Sequence, residues 1–204
     1  MPKRIAIVGN APIEDDRSSL IDGADHVVRF NNAFGYGHVT GARIDDLYLI
    51  NCGGQPLEWL RSDAFWSRDY LTKTLQITLP LAAPNRQRSL GVADDGDGQS
   101  VDGLNFEWDM RAALRPLGKT VRTLAPDTIS AATDALRALG AGDAQVNPST
   151  GYLAAFAYLE SCTHGTIVDL YGFTFAGWGG HSWESEKAWV LDQQSEGRLN
   201  WHQP

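Results

Sequence analysis

Three short segments, far apart in the chain, carry the residues best suited to chemistry. The first is Ile5-Ala6-Ile7-Val8-Gly9-Asn10, joined further on by Arg29-Phe30-Asn31. The second is Asn147-Pro148-Ser149-Thr150-Gly151, and the third is His181-Ser182-Trp183-Glu184-Ser185-Glu186. Gly9 lets a ligand approach the backbone closely, and the Asn10 and Asn31 amides offer donors. Ser149 and Thr150 hydroxyls, with the backbone N–H groups running to Gly151 at a helix start, form an anion site. His181, with an imidazole near neutral pKa, can take a proton from a hydroxyl; Glu186 either orients it or holds the loop. The chemistry implied is the binding of a phosphorylated nucleotide with a base beside it.

Each piece has a plainer reading. Gly9-Asn10 is also an ordinary strand-ending turn, Arg29 a partner for an aspartate, and Asn31 a turn residue. Ser149 or Thr150 serves equally as a simple helix N-cap, and an isolated His181 as a surface residue near a cap. His26, His38, His164 and His202 have no comparable setting. The ordered trio, not any member, carries the argument. Trp178 and Trp183, beside glycines and His181, are candidates for stacking on a base or sugar. Asp94-Asp95-Gly96-Asp97-Gly98 lacks the later bidentate glutamate of a calcium loop and reads as a solvated loop.

The elements that must position these residues alternate along the chain. Ile5 to Val8 is a continuous apolar run, the pattern of a strand buried on both faces of a parallel sheet. Further strands are expected at His26–Phe30, Asp46–Ile50, Thr74–Leu81, Val121–Leu124, Thr166–Gly172 and Arg198–Trp201. Helical segments are expected at Ser18–Ile21, Leu57–Leu60, Phe106–Leu117, a stretch capped by Asp127 or Thr128 and closed by Gly140, Tyr152–Ser161 and Lys187–Gly197. Residues 82–102, rich in Gly and acidic residues, read as a long loop, mobile or acting as a lid. The alternation predicts an α/β fold with a mostly parallel sheet and one domain over residues 1–204. No Gly-x-Gly-x-x-Gly follows a strand, which argues against a dinucleotide-binding oxidoreductase.

Composition removes other classes. The 204 residues carry a formal charge of -8, so a general nucleic-acid binder is disfavoured. No apolar run approaches the roughly 20 residues that span a bilayer, and the start reads as a first strand rather than a secretory signal. The two cysteines, Cys52 and Cys162, fit neither a zinc spacing nor a disulfide framework; free thiols in a cytoplasmic protein are expected.

The order of motifs resembles the sialyltransferases, glycosyltransferase family 29, in a small bacterial form. Ile5 to Asn10, Val28-Arg29-Phe30-Asn31 and Val39-Thr40-Gly41-Ala42-Arg43 are similar to that family's large motif. Pro148-Ser149-Thr150-Gly151 through Cys162, with Val168-Asp169-Leu170-Tyr171-Gly172-Phe173, is similar to its small motif. His181-x-x-x-x-Glu186, followed by a helix and Arg198-Leu199-Asn200-Trp201, is similar to its very small motif. Residues 53–125 stay unassigned. The resemblance implies a GT-A-like or Rossmann-like α/β/α sandwich, a CMP-activated sugar donor, a glycan acceptor and no catalytic metal or other cofactor. It implies that Asn10 and Asn31 contact the nucleotide and its phosphate, and that Ser149, Thr150 and Gly151 hold the donor's phosphate or carboxylate. His181 is then the general base of an inverting transfer, with Glu186 beside it. The donor sugar is sialic acid or another CMP-linked acid such as Kdo. The chain departs from the family pattern where Ile5 replaces a cysteine, so that the usual disulfide with Cys162 cannot form. It has no separate copy of the third, acceptor-side motif, and no membrane anchor or stem. A non-catalytic nucleotide-binding accessory protein on the same fold is the alternative.

Overall fold

Ile5-Ala6-Ile7-Val8 is apolar at every position because helices cover both sides of it. Ile5 and Ile7 face one helical layer, Ala6 and Val8 the other, and all four are buried. A computed structural model describes residues 3–83, 104–142, 146–163 and 165–204. Seven strands form one sheet: β1 (Arg4–Val8), β2 (His26–Phe30), β3 (Asp46–Tyr48), β4 (Gln76–Leu79), β5 (Thr120–Thr123), β6 (Ile167–Tyr171) and β7 (Leu199–His202). Their order is β5-β4-β3-β2-β1-β6-β7, and every pair is parallel. The sheet predicted as mostly parallel is thus wholly parallel.

Eight α-helices flank it among the described residues: α1 (Ser18–Asp22), α2 (Gly54–Leu60), α3 (Asp63–Trp66), α4 (Asp69–Lys73), α5 (Glu107–Leu114), α6 (Pro126–Ala138), α7 (Thr150–Ser161) and α8 (Trp183–Ser195). Residues of α1 to α5 close one face over Ala6, Val27, Leu47 and Ile77, and residues of α6 to α8 close the other over Ile7, Val28, Tyr48 and Leu170. The architecture is a Rossmann-like three-layer α/β/α fold. From β1 the chain winds outward to β5, then returns to place β6 on the other side of β1. The carboxyl edge between β1 and β6 is therefore a topological switch point, where open α/β sheets bind ligands.

The differences from the sequence reading have local causes. The segment expected as one helix to Leu117 divides into α5 and a 3-10 turn, Arg115–Leu117, because Pro116 has no N–H to continue an α-helix. Helix α6 takes Pro126 as its first residue, with Ala125 as N-cap, so neither Asp127 nor Thr128 caps it. Helix α8 starts at Trp183, four positions before the expected Lys187, which places Glu186 inside its first turn. Helices α3 and α4 were not foreseen; at four and five residues they are too short for a periodic pattern to show. The expected loop at 82–102, with its acidic run, lies outside the described residues beyond Ala83.

Gly9 locks the switch point. Its N–H donates to the Tyr171 carbonyl (2.7 Å), and the Ala11 N–H donates to the Gly172 carbonyl (3.1 Å). A Cβ on Gly9 would lie 2.3 Å from the Gly172 oxygen, a backbone atom that cannot swing aside. Gly9→Ala is expected to force the ends of β1 and β6 apart and cost about 2 kcal/mol or more, read as a lower urea midpoint with unchanged m.

Candidate functional site

The carboxyl ends of β1, β2 and β6 and the first turn of α7 enclose an open cavity of about 410 Å³. Six of the seven sequence-derived site residues, Asn10, Asn31, Ser149, Thr150, Gly151 and His181, line it. Glu186, the seventh, lies behind Ser149 and is 1% exposed. The far wall is aromatic, with Phe173, Phe175 and Trp183.

The donors sort themselves by what they already hold. The Asn10 amide nitrogen donates to the Phe30 carbonyl (3.2 Å), and its oxygen accepts from the Phe34 N–H (2.9 Å). Asn10 therefore braces the β1 loop against the β2 loop, and only its second N–H is left for a ligand. Asn31, at φ 50°, accepts the Ile50 N–H on its side-chain oxygen (2.9 Å), which leaves its amide nitrogen to the cavity. At α7 the Ser149 hydroxyl caps the helix by accepting from the Tyr152 N–H (3.1 Å). The Thr150 and Gly151 N–H groups precede it in the first turn and have no side-chain cap among the described residues. They are the natural anion donors here, reinforced by the helix dipole. Gly151 has no side chain for a reason: a Cβ there would meet the Phe173 ring at 2.8 Å.

Ser149 itself is committed elsewhere. Its N–H donates to one Glu186 oxygen and its hydroxyl to the other, both at 2.7 Å. Of the two roles the sequence left open for Glu186, the structure places the carboxyl on Ser149 and not on His181. The carboxyl holds the 149 turn. Burial pushes it up to about 7, against the two hydrogen bonds from Ser149 that favour the charged form. A carboxyl near 4.5 in the unfolded chain and about 7 in the folded one binds its proton more tightly when folded. Its contribution to stability is complete below about pH 4.5 and is lost as pH rises through about 7, by about 3 kcal/mol at most. Chemical denaturation of wild type and Glu186→Gln across this range should show that decline in the wild type and a flatter curve in the variant.

His181 sits just before α8. Its Nδ1 lies 2.5 Å from the Asn147 carbonyl. A carbonyl only accepts, so Nδ1 carries the proton and Nε2 keeps a free lone pair, the tautomer a base needs. Burial lowers its pKa below the ordinary histidine value, more than the Asn147 contact raises it, so the ring is neutral at pH 7. Two indoles hold it edge-on, Trp178 at 5.0 Å and Trp183 at 4.8 Å between centroids, and the Trp183 ring N–H donates to the Trp178 carbonyl. The two tryptophans singled out from the sequence thus frame the imidazole, and Trp183 also lines the cavity.

Phe175 was not foreseen as a site residue. It lines the cavity in a left-handed backbone conformation, φ 51°, that costs a bulky side chain about 1 to 2 kcal/mol. Trp201 packs against it edge-on at 5.1 Å. Its signal in the sequence was the aromatic pair Phe173 and Phe175 directly after β6. Arg29, in contrast, does not line the cavity: it is buried against the loop that follows β2. Neither Cys52 nor Cys162 is in a disulfide. Among the described residues no group of three or more His, Cys, Asp or Glu is arranged to hold a metal, and no helix is long and apolar enough to cross a membrane.

Comparison with known proteins finds similarity both by sequence and by structure. No protein-family model matches the chain. A urease operon 23 kDa accessory protein of Rhizobium meliloti (strain 1021) is 26% identical over 198 residues, covering 96% of this chain and 90% of that protein. Two crystal structures of a mammalian sialyltransferase, one in complex with Gal-β-1-3GalNAc-ortho-nitrophenol, align with a TM-score of 0.62 at 19% identity. They cover 98% of this chain and 68% of theirs. The chain therefore has a sialyltransferase-like fold.

Proposed function

We propose that the protein is an inverting glycosyltransferase that moves an acidic sugar, sialic acid or a Kdo-like acid, from a CMP-activated donor to a glycan hydroxyl. One observation carries this reading: a single cavity at the β1/β6 switch point gathers the free Thr150 and Gly151 N–H groups, the Asn31 amide and a neutral His181 with Nε2 unprotonated. In this reading the whole chain, 1–204, works as one cytoplasmic domain of the family 29 type.

The donor's phosphate lies at the α7 N-terminus, where backbone N–H groups and the helix dipole offset its charge and the further charge that develops as CMP leaves. Asn10 and Asn31 hold the nucleotide from the β1 and β2 ends. The acceptor hydroxyl gives its proton to His181 Nε2 as its oxygen attacks the anomeric carbon. The bond to the phosphate oxygen breaks on the opposite side, so the configuration inverts. Positioning and electrostatics supply most of the acceleration. Glu186 acts through Ser149, as a positioning residue.

The sequence relative favours a second reading. That protein's name describes an accessory protein, and a nucleotide-binding accessory role without turnover fits the same cavity. Incubation with CMP-sialic acid and with CMP-Kdo, with and without glycan acceptors, separates the two. Transfer or slow donor hydrolysis that disappears in His181→Ala supports the enzyme; CMP binding with no turnover of either donor supports the accessory protein.

A further inference from the structure

Glu186 and Ser149 form a closed pair behind the anion site. With Glu186 ionised, both Ser149 donors, the N–H and the hydroxyl, point at the carboxylate rather than at the cavity Ser149 lines. A buried negative charge then stands directly behind the turn that must receive a second one. Protonation reverses one bond. The carboxylic O–H donates to Ser149 Oγ, which still accepts from the Tyr152 N–H on its other lone pair. The Ser149 hydroxyl hydrogen is released to the cavity, while the Ser149 N–H keeps its carbonyl-type acceptor. Every other polar group of the pair keeps its partner, and the site gains a donor as it loses an adjacent charge.

We propose that Glu186 is a proton-operated gate on anion binding: taking up a proton at Glu186 turns the Ser149 hydroxyl toward the ligand, so that anion binding and protonation are coupled. The inference rests on the reading that this cavity receives a phosphate. Its operating range is set by the burial that places the free carboxyl near 7. Tyr152, on α7, is the titratable side chain that feels the Glu186 charge. Burial raises it, so it stays neutral, and its hydroxyl donates to the Ala132 carbonyl on α6. No cation among the described residues forms an ion pair with Glu186. His181, the other titratable group in the cavity, titrates below the ordinary histidine value and so on the acid side of the range.

The linkage has a definite sign. A bound anion favours protonated Glu186 and raises its pKa further, so affinity is constant below about pH 7 and weakens above it by up to about tenfold per pH unit. Glu186→Gln mimics the protonated acid: its amide donates to Ser149 Oγ and its carbonyl accepts the Ser149 N–H. This variant is expected to bind anions at about pH 9 as tightly as wild type at about pH 6.5.

Calorimetric titration of wild type and Glu186→Gln tests this, with sulfate and cytidine 5′-methylphosphate diester as probes whose charge does not change over the range. The expected wild-type result is weakening above pH 7 with up to one proton taken up per ligand, seen in the buffer dependence of the enthalpy. A flat wild-type profile, no sulfate binding near pH 6.5, or weaker binding by Glu186→Gln than by wild type at pH 9 would overturn the gate. Proton uptake with sulfate but no binding of the cytidine diester would uphold the gate and remove the CMP reading. If Glu186→Gln fails to fold, wild-type proton uptake decides the matter alone.

Discussion

His181→Ala is expected to reduce sugar transfer from a CMP donor by about 10²- to 10⁴-fold, the usual worth of a positioned general base, while CMP affinity changes little. The two halves of this expectation have separate structural grounds. Transfer is lost because Nε2 is the lone pair that the Asn147 contact leaves available. Nucleotide binding persists because its donors lie on α7 and on the β1 and β2 loops, whereas the imidazole is held by the Asn147 carbonyl and two indoles. The wild-type rate should fall on the acid side where the imidazole protonates, and burial places that limb below the ordinary histidine range. Loss of folding or of CMP binding in His181→Ala would instead make the residue a structural part of the wall between Trp178 and Trp183.

Arg29→Lys and Arg29→Ala are expected to destabilise the protein by about 3 kcal/mol or more, with lysine recovering little. The Arg29 guanidinium is fully buried and has no acidic partner at ion-pair distance among the described residues. It donates instead to the Arg43 carbonyl (2.9 Å), the Thr40 hydroxyl (2.9 Å) and the Thr40 and Gly41 carbonyls (2.6 and 3.0 Å), and stacks 5.3 Å from the Tyr36 ring. Its pKa is lowered to about 10 by that burial, so it remains charged at neutral pH. The fork spans four acceptors of one loop, which a single ammonium cannot reach together. Removing it strands buried carbonyls. Because that loop leads from Asn31 and carries Phe34, which Asn10 holds, the damage should reach CMP affinity as well. Urea denaturation gives the stability loss, and a stable Arg29→Lys protein would show that the loop stands without the fork.

The sheet was legible because its strands are short apolar runs ended by Gly, Asn or Pro: Ile5 to Val8, His26 to Phe30 and Ile167 to Tyr171 each occur within a residue of where the pattern puts them. The gathering of Asn31, Gly151 and His181 was anticipated from motif order alone, since nothing in spacing brings residue 31 to residue 181. What stayed hidden were pairings across the fold. Ser149 to Glu186 spans 37 positions. Asp46 at the start of β3 is a buried acceptor for Gln76, Thr78, Arg122 and Tyr158, drawn from two strands beyond it and from α7. Arg29 took carbonyls where an aspartate partner was the plain alternative. Such choices depend on which side chains meet after folding, and a local pattern does not carry that information.

Whether this cavity binds a CMP-activated donor is read from the thermal unfolding midpoint with CMP, UDP and NAD, each at millimolar concentration. A ligand at about 100 times its dissociation constant stabilises by about 2.7 kcal/mol, a rise of several degrees. A CMP-donor site gives that rise with CMP and not with UDP or NAD. An unchanged midpoint with CMP, or an equal rise with NAD, would contradict it.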